Sequence, residues 1–260
     1  MFSDYSAFFW FTAVLATLLV GIGKGGFGGA VGAIATPLIA LSTSVPEAAA
    51  LLLPVLLSAD VFAVYTYRKT FDAPNLKLIL PFATLGIIIA SLFFTRFSSN
   101  ERILKIGLGL IAVGFVIFQL TRTVILKRFH STKTSVLWAG ILGITSGFTS
   151  TLAHVGGPPM MIYLLPQNLP KDIFVGTNAI LFFVINILKL LPYALLGLLS
   201  ISNLSVSLVL IPVAFIGIRL GVYLNKKVSQ KWFNLFIYFM LMVTGLELIT
   251  GYSVISIFAR

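Results

Sequence analysis

Within VGIGKGGFGGAVGA, residues 20–33, one lysine stands among seven glycines, and no other charge occurs between Asp4 and Glu47. Lys24, the bare amides of Gly25, Gly26 and Gly28, and a helix beginning near Phe27 would together make an anion site. An ammonium, unshielded N–H groups and the positive end of a helix all favour negative charge. The competing reading is a lysine whose stem lies in apolar surroundings while its head snorkels to a nearby surface.

A second constellation lies in GFTSTLAHVGGPPMM, residues 147–161. Thr149, Ser150, Thr151 and His154 suit an oxyanion, with Gly156 and Gly157 adding accessible backbone. His154 is either a hydrogen-bonding structural group or a carrier that binds and releases a proton near neutral pH. Asn178 and Lys189, eleven residues apart, share one helical face, with Asn186 at its edge. Lys189 is also near enough to its helix end to snorkel, whereas Asn178 lines the interior or bonds across it. Asp60 is a second candidate proton carrier, or a structural partner for Arg68 or Lys69. A different chemistry, an intramembrane enzyme with His154 as base and Ser150 or Thr151 as nucleophile, has the residue types. No G-x-S-x-G or H-E-x-x-H pattern supports it, and the chain is read as not an enzyme. With no cysteine, two histidines and seven acids, no metal or other cofactor is expected.

What positions these residues is a membrane fold. The 260 residues are 58% hydrophobic and 10% charged, against about 25% charged in soluble domains. Apolar segments recur at 8–22, 27–41, 46–67, 76–94, 103–121, 135–152, 157–166, 172–196, 203–224 and 233–249. Most match a hydrocarbon core of roughly 30 Å. The segments 8–22, 27–41 and 157–166 are shorter and flank the two glycine-rich breaks. The N-terminal segment lacks a basic n-region and a cleavage site, and is read as retained. Pro54, Pro81, Pro192 and Pro212 mark kinks or helix boundaries.

The halves match in order. A shift of 124 places Pro46 on Pro170, Gly23 on Gly147 and Gly32 on Gly156. If each broken segment is a re-entrant hairpin, eleven flanking basic residues share one side and Arg96, Arg102, Lys105 and Arg260 the other. That asymmetry satisfies the positive-inside rule with both termini outside and makes the halves inverted. The net charge of +11 therefore reads as cytoplasmic loops rather than a nucleic-acid site. The expected fold is an all-α polytopic membrane domain over 1–260, an inverted repeat of halves 1–128 and 129–260. Each half opens with a glycine-broken re-entrant pair followed by three spanning helices. Such architecture suits a secondary transporter alternating access around a midplane site.

GIGKGGFGGAVGAIATPLIAL, the helix with AAALLLP, and GxxSGFxSTLAHVGGPPMxIYLL together resemble the TauE/SafE family of sulfite-exporter-like permeases. The resemblance runs over almost the whole chain. It implies a multi-pass protein of the cytoplasmic (inner) membrane that carries sulfite, sulfonates such as sulfoacetate, or related organosulfur anions. The partners implied are a small anionic substrate, the lipid bilayer and a coupling proton or sodium ion. Carried over, the matching positions are Lys24 with its glycines, Thr151, His154, Gly156, Gly157 and Pro158.

Overall fold

Ser6 begins the first helix by accepting a 3.1 Å hydrogen bond from the Phe9 amide, one of the donors that a helix start leaves open. In the computed structural model, which describes residues 5–24, 32–97, 99–129 and 135–252, ten α-helices follow in order. They are α1 (Ala7–Ile22), α2 (Ala35–Ile39), α3 (Val45–Tyr67), α4 (Ala73–Phe97) and α5 (Glu101–Phe129), then α6 (Val136–Ala153), α7 (Gly157–Leu164), α8 (Lys171–Leu195), α9 (Ile201–Asn225) and α10 (Gln230–Thr250). A 3-10 turn, Leu165–Gln167, closes α7. There are no strands among the described residues.

Seven helices are long and apolar enough to cross a membrane: α3, α4, α5, α6, α8, α9 and α10. The chain is an all-helical, multi-pass membrane protein. Among the described residues, a helix, a short helix and three long helices occur in that order over 5–129 and again over 135–252. Two elements differ from the apolar pattern. Of the segment 27–41, the described helix is α2 alone, because residues 25–31 with Phe27 lie outside the described residues. Helix α5 runs past the apolar stretch to Phe129, since Arg, Leu and Lys propagate a helix well and no glycine or proline follows Gly114 within it. Pro54, Pro81, Pro192 and Pro212 all lie inside helices rather than at their ends.

The chain forms two compact units, each drawing on both halves of the sequence. The first comprises residues 1–55, 96–117 and 198–260; the second comprises 56–95 and 118–197. In the first unit, α1 packs on α9 so closely that a Cβ at Gly21 would overlap the Ala214 carbonyl oxygen, and one at Gly217 would overlap that of Leu18. In the second, α6 meets α4 in the same way: Gly147 faces the Ala83 oxygen and Gly86 the Ile144 oxygen. Small residues let helix backbones approach where lipid offers no hydrophobic force to drive them together. The second unit also holds an apolar core in which Ile79 and Ala83 of α4, Met160 of α7 and Leu181 and Ile185 of α8 are fully buried.

Candidate functional site: a buried lysine at the second break

Helix α6 ends at His154, whose backbone is left-handed (φ 55°, ψ 30°). Asparagine, aspartate and histidine adopt this region more readily than other non-glycine residues, but still at a cost. The turn is held from several directions. The His154 amide donates to Ser150 O (3.0 Å) and the Val155 amide to Thr149 O (3.3 Å). Ser146 Oγ donates to Gly156 O (2.8 Å), and Thr149 Oγ1 to Val155 O (2.9 Å). Gly156 has to be glycine: a Cβ there would meet Phe182 at 2.8 Å and Ser146 Oγ at 2.9 Å. Gly157, next in the chain, faces open space.

Into this turn α8 delivers Lys189, whose exposure is 0%. Its Nζ lies 3.1 Å from Ser150 O, 3.2 Å from Ser150 Oγ and 2.9 Å from His154 Nδ1. Three neighbours match the three donors of an ammonium group. Lys189 therefore does not snorkel; it is bound inward. One turn earlier on α8, Asn186 Nδ2 donates to Asp60 Oδ2 of α3 at 2.6 Å, both residues buried. The Asp60 carboxylate also acts electrostatically on Lys189. One turn later, the fully buried Tyr193 donates its hydroxyl to Thr151 O at 2.6 Å. Arg68, weighed as a partner for Asp60, lies over the Tyr65 ring with its guanidinium 4.9 Å from the centroid.

The structure thus brings Ser150, His154 and Lys189 into direct contact, with Asp60, Asn186 and Tyr193 around them. It also shows the surroundings of the other expected ligands. The Thr151 hydroxyl is buried and donates to Gly147 O (2.8 Å), and that of Thr149 donates to Thr145 O (2.8 Å) as well as to Val155 O. Both hydroxyls brace the break. Asn178 Nδ2 bonds Phe174 O one turn back in its own helix (2.9 Å). Lys24, in the first unit, stands exposed just past α1, and Gly25, Gly26 and Gly28 lie outside the described residues. Tyr193 was not singled out from sequence, although its position four residues after Lys189 puts it on the same face.

Chemically, the cluster supplies a cation, a half-buried imidazole and little else that is accessible. Ser150 Oγ does lie beside an amine, as a serine–lysine nucleophile requires. Ser150 is only 3% exposed, however. No group of three or more potential metal ligands occurs among the described residues.

The model of the sulfite exporter TauE/SafE family matches residues 13–248. The chain belongs to that family. No curated protein and no solved structure matches it. The TauE/SafE family is a transporter family, which accords with a chain that is not an enzyme, and it suggests a membrane exporter of sulfite or a related anion. The span matched by the TauE/SafE model contains both glycine-rich stretches and the Lys189 cluster.

Proposed function

We propose that the protein is a secondary transporter for small oxyanions, namely sulfite, sulfonates such as sulfoacetate, or related organosulfur anions, working by alternating access around a positively lined site. The observation that carries this reading is Lys189, a lysine held at zero exposure in a spanning helix and bonded to His154 at a glycine–proline break. A charge at such a place costs at least about 2.5–3.5 kcal/mol on insertion scales, and such groups line substrate pathways as a rule. Lys189 directs all three donors at protein atoms, so it would act on an anion through its charge. His154, half-buried and with Nδ1 turned to Lys189, would meet the anion with its other ring nitrogen, Nε2. Gly157, with nothing beside it, leaves room for the guest. Lys24, with Gly25, Gly26 and Gly28, is the proposed anion ligand of the first half. The halves are read as inverted repeats in the inner membrane with both termini outside.

A panel of sulfite, sulfonates, sulfate, thiosulfate and carboxylates tests the reading by thermal shift, because a ligand that binds the folded state alone raises apparent stability. Sulfite or a sulfonate should raise the melting temperature, and the same anion should exchange across proteoliposomes. Lys24→Ala should lose both effects while still inserting. Unchanged exchange in that variant would remove Lys24 from the site, and no response to any anion would defeat the reading.

A further inference from the structure

Resting on the anion-carrier reading, we propose that Lys189 and His154 form a single proton site, loaded once for each monovalent anion carried. The argument begins with the cradle around Nζ: Ser150 O at 3.1 Å, Ser150 Oγ at 3.2 Å and His154 Nδ1 at 2.9 Å. An ammonium donates to all three. A neutral amine keeps two donors, to Ser150 O and Ser150 Oγ, and accepts from the Nδ1–H of the other imidazole tautomer. All three Nζ contacts are kept in both states. A lysine surrounded only by carbonyls and carboxylates would forfeit a bond on losing its proton; this one does not.

The proton also has a way out. Lys189 is fully buried, whereas His154 is half-buried. Across 2.9 Å, Nζ passes a proton to the lone pair of Nδ1 and keeps the electron pair of the broken N–H bond. The ring then carries hydrogen on both nitrogens and releases the one on Nε2 to water or to the bound anion. Its Nδ1–H continues to donate to the amine. The reverse sequence reloads the site.

Charge balance supplies the coupling. An unpaired charge in a low-dielectric interior is costly. Loading a monovalent anion together with one proton leaves the net buried charge unchanged, whatever the neighbours contribute. Those neighbours are Asp60 on α3, bonded to Asn186 and acting on Lys189 through space, and Tyr193 on α8, bonded to Thr151 O.

Proteoliposomes holding the full chain separate this inference from the reading beneath it. Labelled sulfite or methanesulfonate is first exchanged at equal pH, where no net proton movement is required. The anion that exchanges is then offered with a pH difference of one unit and no membrane potential, sulfite at acidic pH values at which it stays monovalent on both sides. For one proton per monovalent anion, accumulation should approach about tenfold on the alkaline side. Lys189→Met and His154→Gln, checked for folding by thermal shift, should lose that accumulation, while Asp60→Asn should keep it. Exchange without pH-driven accumulation overturns the proton site and leaves the carrier standing. Accumulation that survives Lys189→Met but vanishes in Asp60→Asn moves the site to Asp60 and overturns the proposal as well. No exchange of either anion sinks both.

Discussion

At the scale of single residues, the left-handed turn at His154 separates a structural cost from a functional gain. Replacing His154 by glycine relieves the backbone, and replacing it by alanine retains the strain while removing the ring. His154→Gly should therefore be more stable than His154→Ala by about 1 kcal/mol, and thermal unfolding of the two purified variants measures the difference. Both should lose the stabilisation that sulfite or a sulfonate gives the native chain. Lys189→Met removes a buried cation but leaves Ser150 Oγ and His154 Nδ1 without a donor. The two effects oppose each other, at about 1–3 kcal/mol for the lost bonds. Its melting temperature should change little while its anion response disappears; a retained response would show that the Lys189 charge is not used. Much of this site was legible in the sequence, since Ser150, His154 and Lys189 were all singled out. Their relative weight was not. Lys24 is conspicuous because nothing charged surrounds it, yet it is Lys189 that is buried, because burial depends on which face of α8 meets α6. Nor does residue type say where a hydroxyl hydrogen goes: Thr149 and Thr151 turn theirs onto backbone carbonyls.

At the scale of elements, the two glycine crossings set helix backbone directly on helix backbone. At Gly147 and Gly21 a methyl group would overlap a backbone oxygen that belongs to a helix and cannot swing aside. Gly147→Ala and Gly21→Ala should each cost about 3 kcal/mol or more. Gly114→Ala, where nothing lies within 4 Å, should be neutral or slightly stabilising, as folded yield and thermal unfolding in detergent will report. Gly156→Ala and Gly157→Ala make a second pair: the first should unfold earlier, while the second should fold normally and alter only the anion response. Seven of the apolar segments were legible as spanning helices because length and hydropathy decide a span almost unaided. The crossings were not, since a glycine in an apolar helix announces a small residue without naming its partner. With the partners known, Pro-x-Ala-x-x-Gly appears at 81–86 in α4 and again at 212–217 in α9. The facing glycines, Gly21 and Gly147, are 126 residues apart. In these two crossings the counterpart of Gly147 is Gly21, two residues from the Gly23 that a shift of 124 would place on it.

At the scale of the whole molecule, orientation follows from charge if the breaks return to the side they leave. The native chain has no cysteine, so single cysteines report without background. Arg96→Cys should react with a membrane-impermeant maleimide added outside intact cells, and Lys227→Cys only after the membrane is opened. The opposite pattern would invert the topology, and labelling of both from one side would break the repeat reading. Each unit borrows helices from both halves of the sequence, and this has a consequence for how the protein is made. Gly86 and Gly147 are 61 residues apart, whereas Gly21 and Gly217 are 196 apart. As the ribosome feeds the bilayer, α4 finds α6 soon after it enters, but α1 waits until α9 has been translated. Helix α1 thus waits long for this partner, and its narrow face stays open to lipid, or to an insertion chaperone, for most of synthesis.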